Sequence, residues 1–316
     1  MNTESKIYIA GHRGLVGSAI MRYLQSNGYN NLVYRTRAEL DLRKWDEVNQ
    51  FFQAEKPEYV FLAAAKVGGI VANNTYPADF IRDNMLIQTN VIDASFQNDI
   101  KKLLFLGSTC IYPKFSPQPM KEEYLLTGVL EATNESYAIA KIAGIKMCES
   151  YNRQYGTNYI SIMPTNLYGL NDNFDLENSH VLPALIRKFH EAKVNSEPAV
   201  EVWGTGNPRR EFMYCDDLAD AAVYLMNTYN GSELINVGVG KDIAIHQLAQ
   251  LLKDTVGYKG EIIFNTSKPD GAPRKLVDIT RLTELGWEAK TTLEEGLELT
   301  YESYLKELNK KNLVSK

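Results

Sequence analysis

The chain has 316 residues, of which 44% are hydrophobic and 23% charged, and its formal net charge at pH 7 is −5. These values are typical of a globular protein with one large α/β domain or two smaller ones, and they exclude a general electrostatic attraction to nucleic acid. The sequence has neither an export signal nor an apolar run long enough to span a membrane, so we expect a cytoplasmic protein without membrane attachment. The three cysteines, Cys110, Cys148 and Cys215, predict neither a disulfide framework nor a zinc site.

The first predicted strand, Lys6 to Ala10, leads through a glycine-rich turn into a helix predicted from Ser18 to Asn27. In a nucleotide-binding turn, Gly11 would allow the tight bend, Gly14 would admit a pyrophosphate, and Gly17 would let the helix pack on the strand. The spacing is G-x-x-G-x-x-G rather than G-x-G-x-x-G. A turn with no ligand remains the alternative, although its place directly after the first strand favours nucleotide binding.

The second predicted strand, Leu32 to Tyr34, is followed by Arg35 and Arg37 where an NAD site usually places an acidic residue. Arginines suit the 2′-phosphate of NADP, and Arg13 lies in the glycine turn as well. The sequence therefore predicts NADPH, with a simple solvated loop as the alternative.

Strands and helices continue to alternate, which predicts a Rossmann-type doubly wound parallel sheet with a smaller α/β substrate domain. We assign residues 1–168 to the NADP-binding domain, with 208–230 returning to it, and mainly 169–207 and 231–316 to the substrate domain. The elements on which this rests are helices at Trp45 to Glu55, Asp79 to Asn98, Asp216 to Met226 and from Thr291 onward, and strands at Tyr59 to Leu62 and Lys102 to Leu106.

Tyr137 and Lys141 lie one turn apart on a predicted helix. An ammonium close to a phenol favours the phenolate and can bring the pKa of the phenol toward neutrality, where it exchanges protons readily. Such a pair is common on helices without any function, but Ser108 follows the fourth predicted strand. Since the carboxyl ends of parallel strands form a ligand crevice, we expect all three side chains to meet there.

The glycine turn, Ser108 and the Tyr137/Lys141 pair together resemble the extended short-chain dehydrogenase/reductase family. The resemblance implies that Tyr137 donates a proton, and that Lys141 lowers the pKa of Tyr137 and binds the nicotinamide ribose. It also implies that Ser108 hydrogen-bonds the substrate oxygen.

A closer resemblance is to the GDP-sugar epimerase/reductases of this family, which convert GDP-4-keto-6-deoxy-D-mannose to GDP-L-fucose by 3,5-epimerisation and NADPH-dependent 4-keto reduction. Thr109 departs from that pattern, which often has a second serine there. The resemblance rests on the segments GHRGLVGSAI, AAAKVGGIVANNTYPADFI, CIYPK, SYAIAKIAGIKMCESYNRQYG, MPTNLYG, NSHVLPALIRKFHEA, REFMYCDDLA and KPDGAPRK.

Epimerisation beside a ketone needs a base to remove each ring proton and an acid to return one, and the resemblance gives these roles to Cys110 and His180. Which residue is the base and which the acid at each carbon stays open. A thiol acts as a base only where a positive group lowers its pKa, and protonated His180 or Lys141 are the candidates. Without the resemblance, a single cysteine or histidine is more often structural.

The resemblance also implies the nucleotide and substrate contacts. Lys188, Trp203, Arg210 and Asp270 are the expected substrate-binding residues, although the neighbours Arg187 and Arg209 are alternatives, and an aspartate before glycine is also typical of a turn. The expected NADPH-binding residues are Gly11, His12, Arg13, Gly14, Leu15, Val16, Gly17, Arg37, Asp41, Leu42, Ala64, Leu106, Gly107, Ser108, Lys141, Pro164, Thr165, Asn166, Leu167 and His180.

The resemblance further implies a homodimer formed through the helices Asp79 to Asn98 and Tyr137 to Tyr155. Two alternatives for the activity remain: a related enzyme that makes GDP-L-colitose by epimerising only C5 of a 3-deoxy sugar, and a non-catalytic NADP-binding sensor. Five reactive groups expected at one crevice count against the sensor.

Overall fold

The computed structural model of the chain describes residues 1–176, 179–268 and 270–314. Five residues lie outside the described residues: Glu177, Asn178, Pro269, Ser315 and Lys316. All five belong to the ranges predicted for the substrate domain. Asn178 also belongs to the NSHVLPALIRKFHEA segment, and Pro269 to the KPDGAPRK segment.

The described residues form thirteen strands in chain order. They are β1 (Ile7–Ala10), β2 (Leu32–Val33), β3 (Tyr59–Leu62), β4 (Lys102–Leu106), β5 (Tyr159–Pro164), β6 (Asn166–Tyr168), β7 (Ala199–Trp203), β8 (Arg209–Arg210), β9 (Phe212–Tyr214), β10 (Ile235–Val237), β11 (Ile243–Ala244), β12 (Glu261–Asn265) and β13 (Arg274–Lys275).

The described part of the chain also contains ten α-helices and short 3₁₀ turns at 109–111, 122–124 and 132–134. The helices are α1 (Leu15–Ser26), α2 (Trp45–Glu55), α3 (Ile70–Thr75), α4 (Pro77–Gln97), α5 (Glu135–Tyr155), α6 (Val181–Val194), α7 (Cys215–Thr228), α8 (Ile245–Val256), α9 (Thr280–Glu284) and α10 (Leu293–Val314).

The central element is a six-stranded sheet in the order β10-β5-β4-β3-β1-β2, with every pair parallel. Its strands are continuous apolar runs because helices cover both faces, as in the buried strand β4. One apolar core lies between the sheet and α2, α4 and α5, and a second lies between the sheet and α1 and α7. The Rossmann-type α/β architecture predicted from the sequence is confirmed.

A third apolar core lies outside the large sheet, among α6, α8, α10 and the short strands β7 and β12. Most of it falls in the ranges assigned to the substrate domain. Strand β10, however, pairs with β5 at the edge of the large sheet, although it belongs to the 231–316 range. The domain boundaries stay a prediction, with β10 as a segment of that range that packs with the nucleotide-binding sheet.

The observed elements follow the predicted ones closely where apolar periodicity is strong, as for α2, β3 and β4. The region of Arg210, predicted as a loop between Trp203 and Phe212, contains β8, which pairs with β11 and β13. Two polar arginines give no strand pattern, so only the pairing across the fold defines this strand. Among the described residues, no helix is long and apolar enough to cross a membrane.

Candidate active site

The glycine turn lies where the strand order reverses. The chain runs from β1 outward to β2, then crosses β1 to form β3, so the crevice above the carboxyl ends of β1 and β3 is the switch point at which α/β sheets bind ligands. Gly11 follows β1 there, and Ala64 lies just beyond the end of β3. The two backbones are so close that a Cβ on Gly11 would lie 2.7 Å from the Ala64 nitrogen.

Each glycine of the turn has a different steric role. Gly11 has a φ of +87°, which side chains disfavour. A Cβ on Gly17 would lie 2.1 Å from the Gly11 carbonyl oxygen, so α1 can approach β1 only with glycine there. Gly14 caps α1, and a Cβ at this position would meet only an ordinary 3.5 Å contact. The free backbone amides at the start of α1 and this bare surface fit a nucleotide pyrophosphate.

The arginines around the turn differ in their partners. Arg35 forms an ion pair with Glu55 at 2.5 Å and lies over the Phe51 ring. Arg13 and Arg37 are exposed and have no ion pair within the described part of the chain. Two of the three arginines are therefore available for a phosphate, and Arg35 is occupied in the fold.

Asp41 and Leu42, the other residues expected to bind the cofactor beyond β2, have structural partners. Asp41 accepts hydrogen bonds from the Arg43 guanidinium, which lowers the pKa of Asp41 to about 2. The Leu42 side chain packs against the sheet core, and its carbonyl accepts a hydrogen bond from the Asn90 side chain. Their backbone atoms, rather than their side chains, are the groups that remain for a nucleotide.

The remaining residues expected to bind the cofactor follow β4 and β5. Gly107 packs so closely against Met163 that a Cβ at position 107 would lie 1.7 Å from the methionine methyl group. Beyond β5, the side chains of Thr165 and Asn166 donate hydrogen bonds to the Glu211 carbonyl oxygen at 3.4 and 2.8 Å. These contacts fix the backbone of 164–167 at the same edge of the sheet as Gly11.

The predicted catalytic residues Ser108, Cys110, Tyr137 and Lys141 lie together at the end of β4. The Lys141 ammonium donates a hydrogen bond to the Leu106 carbonyl oxygen at 2.8 Å and lies 5.8 Å from the centre of the Tyr137 ring. The Ser108 hydroxyl oxygen accepts a hydrogen bond from the Cys110 backbone amide at 3.5 Å, and the Ser108 side chain also lies within hydrogen-bonding reach of the Tyr137 phenol and the Cys110 thiol. Tyr137 and Ser108 are each half-buried, so this cluster lies at the wall of an open crevice.

Burial dominates the protonation of this cluster. It raises the pKa of the Tyr137 phenol, an effect that Cys110 reinforces and the Ser108 hydroxyl opposes. It also lowers the pKa of Lys141 to about 8. Lys141 is not among the causes of the shift at Tyr137, since its ammonium is itself desolvated and donates to the Leu106 carbonyl oxygen, so the lowering of the phenol pKa by Lys141 stays a prediction.

His180 immediately precedes α6 and caps it with extended backbone. The residue is exposed at the surface, but neighbouring atoms surround its imidazole closely enough that desolvation lowers its pKa. No hydrogen bond or ion pair connects it to Cys110 or Tyr137 within the described residues. A neutral imidazole can accept or donate a proton, but it supplies no positive charge to Cys110.

The expected substrate-binding residues form a second group beside the third core. The Lys188 ammonium lies 5.5 Å from the centre of the exposed Trp203 ring and donates to the Glu201 carbonyl oxygen at 3.1 Å. Asp270 accepts hydrogen bonds from the Thr205 backbone and hydroxyl at 2.6 and 2.8 Å. Burial lowers the pKa of the Arg210 guanidinium, and Asp270 partly offsets this effect, so the two side chains face each other.

The alternatives Arg187 and Arg209 have carboxylate partners. Arg187 pairs with Glu191 at 2.7 Å, and Arg209 pairs with Asp242 at 2.9 Å. These ion pairs leave Lys188 and Arg210 as the cations available to an anionic ligand.

Sequence reasoning missed two residues of this region. Glu211 is fully buried between the two groups, and its carboxylate accepts hydrogen bonds from the backbone amides of Val239, Gly240 and Val277. Lys275 lies on β13 opposite Arg210 and borders a cleft that Cys110 also lines. The KPDGAPRK segment contains this lysine, but nothing in its local pattern separates it from a surface cation.

Residues 7–238 match the model of the NAD dependent epimerase/dehydratase family. The chain is similar over almost its whole length to curated proteins named GDP-L-fucose synthase. GDP-L-fucose synthase 1 of Arabidopsis thaliana is 61% identical, over 96% of this chain and 94% of that protein. GDP-L-fucose synthase of Escherichia coli K12 is 57% identical, over 96% and 97%, and GDP-L-colitose synthase of Yersinia pseudotuberculosis is 41% identical, over 96% and 99%.

Solved structures share the whole fold. The GDP-mannoheptose C4 reductase of Campylobacter jejuni with NADP bound is 47% identical with a TM-score of 0.90, covering 96% of this chain and 99% of that one. A GDP-L-fucose synthetase of Naegleria fowleri bound to NADP is 29% identical with a TM-score of 0.91, covering 98% and 96%.

The steric difference between Gly14 and Gly17 gives a matched test. We expect Gly17→Ala to lower the free energy of unfolding by about 2 kcal/mol or more, because its Cβ overlaps fixed backbone. Gly14→Ala should change it by less than about 1 kcal/mol and still weaken NADPH binding, since its methyl group occupies the bare surface above the turn. Urea denaturation and fluorescence titration with NADPH measure the two effects, and equal destabilisation by both variants would contradict this account.

Proposed function

We propose, from the premise that this chain belongs to the NAD dependent epimerase/dehydratase family, that it converts GDP-4-keto-6-deoxy-D-mannose to GDP-L-fucose using NADPH. The proposal depends on one observation above all: Ser108, Cys110, Tyr137 and Lys141 lie together where β4 ends. This group combines a proton donor, an oxygen-binding hydroxyl and a thiol. The relatives that are 57–61% identical are named GDP-L-fucose synthase, which supports this choice of sugar nucleotide.

NADPH fits the first part of the crevice. We assign its pyrophosphate to the Gly11–Gly17 turn, its 2′-phosphate to Arg13 and Arg37, and its nicotinamide end to the backbone of 164–167 and to Lys141. When bound, the cofactor supplies a hydride equivalent for the reduction of a ketone.

Epimerisation requires proton transfer at the two carbons next to the 4-keto group. We assign these transfers to Cys110 and His180, one taking a proton from a ring carbon and the other returning one to the opposite face. The low pKa of the His180 imidazole suits a group that is neutral near pH 7 and able to exchange protons. The 4-keto oxygen carries the charge of the intermediate enolate, and the Ser108 hydroxyl can donate a hydrogen bond to it.

Reduction uses the same oxygen. The Tyr137 phenol keeps its proton at neutral pH because burial raises its pKa, and it gives that proton to the 4-oxygen as the carbonyl is reduced. The Lys141 ammonium, held by the Leu106 carbonyl, favours the phenolate that remains.

The substrate nucleotide has its own contacts in this proposal. Lys188 and Arg210 bind the diphosphate, and their carboxylate-paired neighbours Arg187 and Arg209 position the backbone. The exposed Trp203 ring covers the ring of the base or sugar, and Asp270 accepts hydrogen bonds from hydroxyl or amino groups.

A GDP-L-colitose synthase activity is the second candidate, because the Yersinia pseudotuberculosis relative is 41% identical over 96% of this chain and 99% of that protein. The lower identity makes it the weaker candidate. A non-catalytic NADP-binding sensor would not need the group of reactive side chains at the end of β4.

The direct test of the proposal is NADPH oxidation at 340 nm by the purified protein with GDP-4-keto-6-deoxy-D-mannose, followed by NMR of the product. We expect GDP-L-fucose.

Tyr137→Phe should lose reduction by about 100-fold or more and still exchange the C3 and C5 protons with deuterated solvent, whereas Cys110→Ser and His180→Asn should lose exchange first. Loss of exchange in Tyr137→Phe would contradict this division of roles, and turnover of only the 3-deoxy sugar would favour the second candidate.

The unpaired Arg37 should determine the preference for NADPH. We expect Arg37→Ala to raise the Kd for NADPH about tenfold and to leave the Kd for NADH nearly unchanged, because only NADPH carries the 2′-phosphate. The matched control is Arg35→Ala, which removes an arginine already paired with Glu55. Equal weakening of both cofactors by Arg37→Ala would remove the assignment.

We also propose a cytoplasmic homodimer in which α4 and α5 of two copies pack together. These helices pack on each other and expose the apolar side chains of Met85, Leu86 and Ile139. Leu86→Asp should shift the protein toward monomer in sedimentation velocity experiments. Leu299→Asp, at a similarly exposed position on α10, should not change the sedimentation coefficient, and a monomeric wild-type protein would contradict the proposal.

A further inference from the structure

Cys110 lies in a setting that works against its proposed task. It is almost fully buried at the end of β4, and burial raises the pKa of its thiol. A neutral thiol is a poor base, so proton removal near pH 7 requires compensating positive charge. No hydrogen bond or ion pair joins His180 to Cys110 among the described residues, and desolvation lowers the pKa of its imidazole.

A small cleft opens beside Cys110, and three cations line it: Lys114, Arg274 and Lys275. Lys114 forms an ion pair with Glu131 at 3.1 Å, and Arg274 forms one with Asp242. Lys275 has neither an ion pair nor a side-chain hydrogen bond among the residues that the structure describes. It is therefore the cation of this cleft whose charge is left for Cys110.

Backbone contacts fix Lys275 in this position. The segment that follows Cys110 reaches β13 and its continuation, where the Met120 amide donates to the Leu276 carbonyl oxygen at 2.8 Å. The Leu276 amide donates in turn to the Gln118 side chain at 2.8 Å. On its other side β13 pairs with β8. The lysine side chain makes none of these bonds, so it can be replaced without removing them.

We propose that the Lys275 ammonium is a positioning charge that stabilises Cys110 as a thiolate, the form in which this side chain removes a proton from the sugar ring. The role rests on the proposed epimerase function. In the step, the thiolate takes the proton from the ring carbon and becomes a neutral thiol, while the electron pair of the C–H bond moves into the enolate of the 4-keto group. Reprotonation of the carbon on its other face completes the epimerisation without any oxidant.

The charges that face the two groups agree with this role. Burial raises the pKa of the Cys110 thiol, while the Ser108 hydroxyl, Lys275 and Lys141 all lower it. Burial lowers the pKa of the Lys275 ammonium, and Cys110 raises it. Lys141 already donates to the Leu106 carbonyl, which leaves Lys275 as the cation without another partner.

Further groups act on this pair from the elements around it. The Tyr137 phenol faces Cys110 from α5. Arg210 on β8 disfavours the charged form of Lys275, and Glu131 favours it. Because the direct effect of Lys275 on Cys110 is one of several, the test compares variants of the same protein rather than absolute values.

Titration of the thiol in the full-length protein, without cofactor or substrate, tests the proposal directly. The absorbance at 240 nm that is lost in Cys110→Ser reports the Cys110 thiolate as the pH is raised. We expect Lys275→Met to move the midpoint of this titration to higher pH and Lys275→Arg to restore it. Lys114→Met, which removes a carboxylate-paired lysine of the same cleft, should leave the midpoint unchanged. An unchanged midpoint in Lys275→Met would overturn the proposal.

A second measurement separates this role from direct substrate binding. Lys275→Met should slow the exchange of the C3 proton of GDP-4-keto-6-deoxy-D-mannose with deuterated solvent at pH 7 by about tenfold, with recovery at higher pH. The Kd for GDP should remain unchanged. A weaker Kd for GDP with a normal thiol midpoint would mean that Lys275 binds the diphosphate, and the proposal would be wrong. Failure of the protein to use this sugar would instead contradict the proposed function and leave the thiol titration as an independent result.

Discussion

The hydrogen bond from the Lys141 ammonium to the Leu106 carbonyl oxygen is the contact on which the site depends most directly. It joins the second turn of α5 to the last residue of β4, and it is buried. Because a buried ammonium is costly without a partner, this bond fixes how far α5 can rotate or slide along the sheet. Tyr137 is one turn earlier on α5 and Ser108 is two residues beyond Leu106, so the same bond places phenol, hydroxyl and thiol at one edge.

Glu211 has the corresponding role on the substrate side. Its carboxylate accepts the amides of Val239, Gly240 and Val277, and its backbone carbonyl accepts the side chains of Thr165 and Asn166. Burial raises the pKa of this carboxyl, and the three amides oppose that effect. One buried residue thus holds together the segment after β5, the loop after β10 and the segment that follows Lys275. The wall opposite Tyr137 is built from segments far apart in the sequence.

Partners decide which of two adjacent cations can meet a ligand. Arg35, Arg187 and Arg209 form ion pairs with carboxylates, while Arg37, Lys188 and Arg210 form none among the described residues, although Arg210 faces Asp270. In each case the two residues have similar chemistry and differ in the direction in which the backbone presents them. A protein with a net charge of −5 can in this way offer local positive sites to a nucleotide diphosphate and to a 2′-phosphate.

The sequence by itself determined the sheet, the glycine turn and the pairing of Tyr137 with Lys141, because these depend on local periodicity and on spacings within one strand or one helix. It did not determine strand β8, the occupied arginines or the charge beside Cys110. Those features depend on contacts between segments that are remote in the chain, such as β13 with β8 and Lys275 with Cys110. The rise in the pKa of the Tyr137 phenol likewise comes from burial, which is set by the whole fold and not by the three residues that separate Tyr137 from Lys141.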